Sequence, residues 1–206
     1  MIANDEWVFI HIPKTSGTNF QTRLIKDNLA INYHKKYNRH FTHQPLKWWE
    51  KHFVFNDHKI LTIVRNPYTR FLSLYNHIFD SVSNLPEYND IHIHDMETFI
   101  RKDQFHIVND IIKKEVKEHE TELCFDIFWP QYKYIESDNK NVLIFKHETD
   151  LVDLEEVVGC KFTTSNYNSR KYNRVLYERY NTYTRSAILS LYKEDFDRWD
   201  YSYELF

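Results

Sequence analysis

A short loop near the start of the chain holds the residue types that bind phosphate groups. It follows the apolar run WVFIHI of residues 7–12 and contains Lys14, Thr15, Ser16 and Gly17, after which a helix is predicted. Backbone N–H groups at such a strand-to-helix loop, together with the positive end of the helix, favour an anion. Lys14 adds a mobile positive charge, and Gly17 allows a close backbone approach or a positive φ. The loop therefore predicts a phosphate site.

A second candidate anion site follows the apolar run ILTIV of residues 60–64. In P-loop nucleotide-binding enzymes the neighbouring strand commonly ends in an aspartate that helps to hold Mg²⁺. This strand ends at Arg65 instead, and an arginine at that place binds an anion and repels a metal ion. Ser73, about two helical turns beyond Asn66, can lend a hydroxyl to the same anion. Two anion sites without a metal ligand indicate a nucleotide that is phosphorylated at two separate positions.

Each site also has a simpler interpretation. The loop can be an ordinary strand-to-helix turn with surface side chains, and Arg65 can form a structural salt bridge with a nearby carboxylate. A Walker A loop is the obvious rival for the first site. Its GxxxxGK[ST] pattern is absent, because here the lysine precedes the glycine and there is no earlier glycine.

The elements that must position these residues alternate along the chain. Apolar runs predict strands over residues 7–12, 60–64 and 142–145. Apolar spacing predicts helices over residues 19–29, 45–52, 96–102, 104–118, 149–158 and 174–193, and one that Asn66 caps and Pro67 begins. This alternation predicts an α/β fold, a three-layer sandwich with a central parallel sheet, in a single domain over residues 1–206.

Composition narrows the classes of protein that remain. A net charge of −3 argues against a general nucleic-acid binder, since a phosphate backbone demands a basic face. Cys124 and Cys160 do not make a disulfide scaffold and have no metal-ligand spacing, so we interpret them as buried or idle thiols. Neither a signal peptide nor a run of transmembrane length is evident, and we expect a cytoplasmic protein without a membrane span.

Two longer stretches resemble the PAPS-dependent sulfotransferases, especially their carbohydrate and membrane-type branch; PAPS is 3'-phosphoadenosine 5'-phosphosulfate. HIPKTSGT, residues 11–18, resembles the loop with which that family binds the 5'-phosphosulfate. IVRNPYTRFLSLY, residues 63–75, resembles the segment that binds the 3'-phosphate. Weaker similarities lie in FWPQYKYI (128–135), VLIFKHETDL (142–151) and NYNSRKY (166–172). A long helix and LYKEDFDRWDY (191–201) follow the last of these, so the resemblance runs from about residue 7 to about residue 203.

The resemblance implies a P-loop-NTPase-like sulfotransferase fold and a function. The function is metal-independent transfer of a sulfuryl group from PAPS to an acceptor hydroxyl, with a carbohydrate as the expected acceptor. Residues that match the loop and would hold the 5'-phosphosulfate are Lys14, Thr15, Ser16, Gly17, Thr18 and Asn19. Arg65 and Ser73 would hold the 3'-phosphate, and a loop with Ser169 and Arg170 would close over the nucleotide. Ser16 stands where the family often has glycine.

The same resemblance implies two catalytic residues. Lys14 would neutralise the bridging oxygen as the 5'-phosphate leaves. NRHFT, residues 38–42, resembles a Lys-His-x-Thr segment of part of the family, so His40 is the predicted catalytic base, with His43 three residues further on. We interpret His92 and His94 as surface residues, because no third metal ligand is evident near them.

Two other functions stay open at this point. A P-loop-like kinase would use ATP and need Mg²⁺, against which the missing Walker A order and Arg65 both argue. A non-catalytic module would keep the nucleotide fold and bind a glycan or partner through its 15 Tyr and 15 Phe residues.

Overall fold

A computed structural model describes residues 1–32, 43–55, 57–82, 95–117, 125–138, 141–161 and 179–205. The chain forms two compact units, of which the first comprises residues 1–65 and 113–163 and the second residues 66–112 and 164–206. The organisation of the whole chain as one domain stays a prediction.

The first unit contains a five-stranded sheet. Its strands are β1 (Ile2–Ala3), β2 (Trp7–Ile10), β3 (Ile31–Asn32), β4 (Lys59–Val64) and β5 (Val142–Lys146), in the order β3-β1-β2-β4-β5. The three longer strands β2, β4 and β5 are parallel, whereas β1 pairs antiparallel with both β2 and β3. The predicted α/β class and the parallel centre of the sheet are confirmed. The antiparallel edge that β1 and β3 add was not predicted.

Strand β2 shows why these residues form a central strand. All four of its residues are buried, as expected when a parallel strand is covered on both faces. Successive side chains point to opposite faces, so Trp7 and Phe9 join one hydrophobic cluster and Val8 and Ile10 join another. Each face of the sheet in this unit is therefore apolar.

Helices of the same unit supply side chains to these clusters. Helices α1 (Gly17–Lys26) and α7 (Leu151–Val158) contribute Phe20, Leu24 and Leu154 to the cluster of Trp7 and Phe9. Helix α2 (Leu46–His52) contributes Leu46, Trp48 and Trp49 to the other cluster, and Ile135 of the short helix α6 (Tyr132–Ile135) packs against it.

The second unit is helical and aromatic over the residues that the structure describes. Helices α3 (Pro67–Val82), α4 (Met96–Arg101), α8 (Thr182–Leu191) and α9 (Lys193–Arg198) lie in it, and α5 (Phe105–Lys117) begins in it. Aromatic rings cross between these helices, for example Tyr75 of α3 with Phe99 of α4 and Tyr68 of α3 with Phe196 of α9. Edge-to-face contacts of this kind stabilise a core beyond the area they bury.

Asn181 corrects the prediction of a single helix over residues 174–193. It has an extended backbone, with φ −95° and ψ 178°, and it is the N-cap of α8. Its side-chain oxygen accepts from the Thr184 N–H at 2.9 Å, while the Thr184 hydroxyl accepts from the Asn181 N–H at 3.0 Å. This reciprocal capping box begins a new helix within the predicted one.

Candidate active site

The loop of residues 11–16 between β2 and α1 has an unusual backbone. Lys14 has φ 66° and Ser16 has φ 72°, which places both in the left-handed region. That conformation costs an L-residue about 1–2 kcal/mol, so surrounding contacts must hold it. Ser16 is the N-cap of α1, and its side chain makes no capping hydrogen bond. An anion at this helix end would satisfy N–H groups of the first turn that Ser16 does not.

Thr15 closes the turn from within. Its side chain is fully buried, and its hydroxyl donates to the carbonyl of Ile12 at 2.9 Å. A contribution of Thr15 to the predicted anion site would therefore come from its backbone N–H rather than from its hydroxyl. Thr18 and Asn19 lie exposed on the first turn of α1, and Lys14 is half-buried.

Gly17 is required because the ring of His11 lies against it. A Cβ atom at position 17 would lie 2.2 Å from His11 Cδ2 and 2.5 Å from His11 Nε2, well inside contact distance. Gly17 does not have a positive φ. Of the two reasons for glycine that the sequence offered, the close approach is the one that applies here.

His43 lies against the same ring. The His11 and His43 rings are 4.4 Å apart between centroids, and Nδ1 of His43 lies 3.2 Å from the carbonyl oxygen of His11. Since a carbonyl only accepts, this nitrogen carries the proton, and a neutral His43 has its basic lone pair on Nε2. The predicted base His40 lies outside the described residues.

Arg65 and Lys14 are brought together by a direct hydrogen bond. Nη1 of Arg65, the residue that follows β4, donates to the carbonyl oxygen of Lys14 at 3.3 Å. β2 and β4 are parallel neighbours, so the residues that follow them lie at the same edge of the sheet. Arg65 and the loop with Lys14, which were predicted from separate motifs, therefore lie at the same edge of the sheet.

Gln131 is a residue of this location that the sequence did not single out. Its Oε1 accepts from the Arg65 N–H and its Nε2 donates to the Arg65 carbonyl, both at 2.8 Å. The only signal in the sequence is the weak similarity of the segment FWPQYKYI, which says nothing of a contact with Arg65.

His147, directly after β5, is a second such residue. Its N–H donates to the carbonyl of Val64 at 2.8 Å, which continues the pairing of β4 and β5 beside Arg65. Burial, and next the Arg65 guanidinium, lower the pKa of His147, while the Glu148 carboxylate opposes them. His147 is therefore biased toward the neutral form beside a cation. Its place after a parallel strand was a signal that could have found it.

Ser73 lies in the second unit, half-buried on α3, and its contact with an anion stays a prediction. The start of α3 is as predicted: Pro67 is its first residue, and Oδ1 of Asn66 accepts from the Tyr68 N–H at 3.0 Å.

Several residues singled out in the sequence lie outside the described residues, namely Ser169, Arg170, Cys124, His92 and His94. Cys160 is buried, which agrees with its interpretation as a buried or idle thiol.

The described part of the chain contains neither a metal-binding cluster nor a membrane-spanning helix. No group of three or more His, Cys, Asp or Glu residues there could hold a metal ion. Among the helices described above, none has the length and apolarity needed to cross a bilayer. Independence of a metal stays a prediction.

Comparison with known proteins identifies the family. The family model described as "Sulfotransferase family" matches residues 1–202 of the 206-residue chain. No curated protein and no solved structure gave a significant match. Because the match covers nearly all of the chain, including the loop with Lys14, Arg65 and the segment with Gln131, the protein belongs to the sulfotransferase family.

Proposed function

We propose that this sulfotransferase moves a sulfuryl group from PAPS to a hydroxyl of a carbohydrate. The observation that carries the proposal is the hydrogen bond of 3.3 Å between Arg65 Nη1 and the Lys14 carbonyl. It joins two cationic residues from separate motifs at the carboxyl edge of a parallel sheet, where α/β proteins bind ligands. An arginine side chain held against a loop that also carries a lysine suits a nucleotide with phosphate groups at two positions.

The loop residues bind the 5'-phosphosulfate through two kinds of interaction, positive charge and backbone N–H donors. Lys14 supplies charge, while the N–H groups at the start of α1, in Gly17, Thr18 and Asn19, supply donors for the leaving phosphate. The backbone N–H groups of Thr15 and Ser16 join them. Arg65 and Ser73 bind the 3'-phosphate, and the loop with Ser169 and Arg170 closes over the nucleotide. The roles of these four residues rest on the family resemblance.

The reaction we propose is an in-line displacement at sulfur. The acceptor oxygen bonds to sulfur as the bond from sulfur to the bridging oxygen breaks, and 3'-phosphoadenosine 5'-phosphate leaves. Lys14 neutralises the charge that develops on the bridging oxygen. The proton of the acceptor hydroxyl passes to a base, for which a histidine with a free-base form near neutral pH is suited.

His40 is the base that the family resemblance implies, and His43 is a second candidate. In favour of His43 are its contact with His11 beside the loop and its proton on Nδ1, which leaves Nε2 basic. Separate His40→Ala and His43→Ala variants assign the role. The base is the histidine whose removal lowers kcat and abolishes the fall of kcat toward low pH, while nucleotide affinity is unchanged.

We also propose that the fold is a three-layer sandwich of the P-loop-NTPase-like type. Support comes from the two apolar clusters of the first unit, to which α1 and α7 contribute on one face of the sheet and α2 on the other. The strand-loop-helix arrangement of β2 and α1 adds to it. A carbohydrate acceptor and a cytoplasmic location stay predictions from the sequence.

The test is transfer of labelled sulfate from PAPS to a panel of glycans, with and without EDTA. We expect labelled product that EDTA does not diminish. Lys14→Ala should abolish transfer while circular dichroism shows an intact fold. Lys26→Ala is the matched control, because Lys26 is an exposed lysine in the last turn of the helix that Lys14 precedes, and it should leave transfer unchanged.

Three results would contradict parts of the proposal. Absence of binding to 3'-phosphoadenosine 5'-phosphate would reject the nucleotide assignment altogether. Binding without transfer to any acceptor tested would favour a non-catalytic module. Mg²⁺-dependent binding of ATP that is tighter than that of PAPS would favour a kinase.

A further inference from the structure

The side chain of Gln131 is polar and fully buried. Its relative exposure is 0%, and it lies in the first unit immediately before α6. A buried carboxamide is tolerated only when its donors and its acceptor are hydrogen-bonded. The identity of its partners therefore indicates why glutamine stands there.

Gln131 pairs with one residue through both of its functional ends. Oε1 accepts from the Arg65 N–H and Nε2 donates to the Arg65 carbonyl, each at 2.8 Å. A neighbouring β-strand offers the same combination of acceptor and donor to a residue it pairs with. The carboxamide thus extends the pairing of β4 by one residue beyond Val64, where the strand ends. Both peptide groups that flank the Arg65 side chain are fixed in direction.

The fixed backbone determines where the guanidinium can reach. Nη1 of Arg65 donates to the carbonyl oxygen of Lys14, and Lys14 is held in the left-handed conformation. A chain of hydrogen bonds therefore runs from Gln131 through the backbone and side chain of Arg65 to the loop that precedes α1. A change at one end of such a chain alters the geometry at the other.

From this we propose that Gln131 is a positioning residue that aims Arg65 at the 3'-phosphate of the donor nucleotide. Gln131 itself does not touch the nucleotide. The inference rests on the proposed function, in which Arg65 binds that phosphate. The competing possibility is that Gln131 only stabilises the fold, by satisfying backbone groups at the end of β4.

The experiment measures how much the 3'-phosphate contributes to binding. Dissociation constants of 3'-phosphoadenosine 5'-phosphate and of adenosine 5'-monophosphate are measured by calorimetry. The constant for adenosine 5'-monophosphate divided by that for 3'-phosphoadenosine 5'-phosphate is the ratio that isolates the contribution of the 3'-phosphate. In Gln131→Leu, which removes both hydrogen bonds at similar volume, we expect the ratio to fall by about tenfold, the size expected for a misplaced hydrogen bond to a charged group. Affinity for adenosine 5'-monophosphate should change little.

Tyr134→Phe is the matched control. Tyr134 lies in the same segment and is fully buried, and its hydroxyl donates to the Asp126 carbonyl at 2.7 Å, a hydrogen bond that the substitution removes. We expect it to lower the melting temperature and to leave the ratio of the two dissociation constants as in the wild type. A ratio that falls equally in both variants would overturn the inference.

Gln131→Glu keeps the test decisive if the leucine variant does not fold. The carboxylate of the new side chain still accepts from the Arg65 N–H. It has no proton to donate, so it cannot form the hydrogen bond to the Arg65 carbonyl. When the pH is lowered the carboxyl group gains a proton and can donate again, so the ratio should recover toward the wild-type value at the same pH. A ratio that stays at the wild-type value at every pH would overturn the inference.

The failures of the two proposals are distinguishable. If the wild type binds both nucleotides equally well, Arg65 does not serve a 3'-phosphate, and the proposed function fails whatever Gln131 does. If the wild type discriminates and Gln131→Leu discriminates equally well, the proposed function stands and Gln131 has only a structural role.

Discussion

At the scale of single residues, the loop before α1 is shaped by unusual local demands. Lys14 and Ser16 take backbone conformations that glycine adopts more easily, while the glycine at position 17 is needed for space. The two requirements are independent, because one concerns φ and the other the distance to the His11 ring. Substitutions at neighbouring positions should therefore act in opposite directions.

Ser16→Gly should raise stability. At φ 72° a serine is strained, and relief of that strain exceeds the added flexibility of glycine in the unfolded chain, for a gain of up to about 1 kcal/mol. Urea unfolding measures it. Ser186→Gly provides the contrast: Ser186 is exposed within α8, and there glycine should lower stability by about 0.5–1 kcal/mol. Destabilisation by both substitutions would contradict the left-handed conformation of Ser16.

Gly17→Ala should destabilise the protein by about 1–3 kcal/mol, because the added methyl group displaces the ring of His11. The effect should be smaller in a His11→Ala background, where the obstructing ring is gone. A double-mutant cycle based on urea unfolding measures the coupling, which we expect to exceed about 0.5 kcal/mol. Additive effects would show that the two residues do not touch.

At the scale of elements, the sequence predicted those whose signal is local. The run ILTIV predicted β4, and Asn66 with Pro67 predicted the start of α3, because apolar runs and helix caps act within a few residues. Strands β1 and β3 have two residues each, which is too short for a recognisable apolar pattern. They are defined by their pairing with other strands, so the sequence did not predict them. The helix over residues 174–193 was wrong because a helical pattern continued through Asn181, whose capping role depends on its backbone.

The sign of the effect of Asn181→Ala tests the start of α8. In an N-cap, loss of the hydrogen bond to the Thr184 N–H should cost about 1 kcal/mol in the free energy of unfolding. In the interior of one continuous helix the same substitution would be stabilising, since alanine has the highest helix propensity. Urea unfolding of the variant and the wild type decides between them, and an increase in stability would restore the single helix.

At the scale of the whole molecule, the candidate site combines segments that are far apart in sequence. Lys14 and Gly17 lie in one contiguous motif and Arg65 directly follows a strand, so their residue types and local spacing identified them. Gln131 and His147 join the site only because β4 and β5 pair and because the segment before α6 reaches Arg65. The position of His147 after a parallel strand was the signal available for it, whereas the residue type of Gln131 says nothing of a contact with Arg65.

His147 should make the stability of the protein dependent on pH. Its pKa in the folded state is lowered by burial and by Arg65, so the unfolded chain takes up the proton first as the pH falls. The free energy of unfolding should therefore decrease below about pH 6.5, the usual pKa of histidine. Urea unfolding at several pH values should show a weaker decrease in His147→Gln than in the wild type. If the free energy of unfolding depends on pH equally in the variant and the wild type, His147 does not cause the decrease.

Contacts within the polypeptide hold the turn between β2 and α1. The Thr15 hydroxyl donates to the Ile12 carbonyl, the Arg65 guanidinium donates to the Lys14 carbonyl, and the His11 ring packs against Gly17. A cradle built in this way is preorganised, so a nucleotide that enters it need not restrict loop motion to be gripped by its phosphates. Preorganisation lowers the entropic penalty of association. Under the proposed function, this part of the site would bind successive nucleotides without having to be ordered again each time.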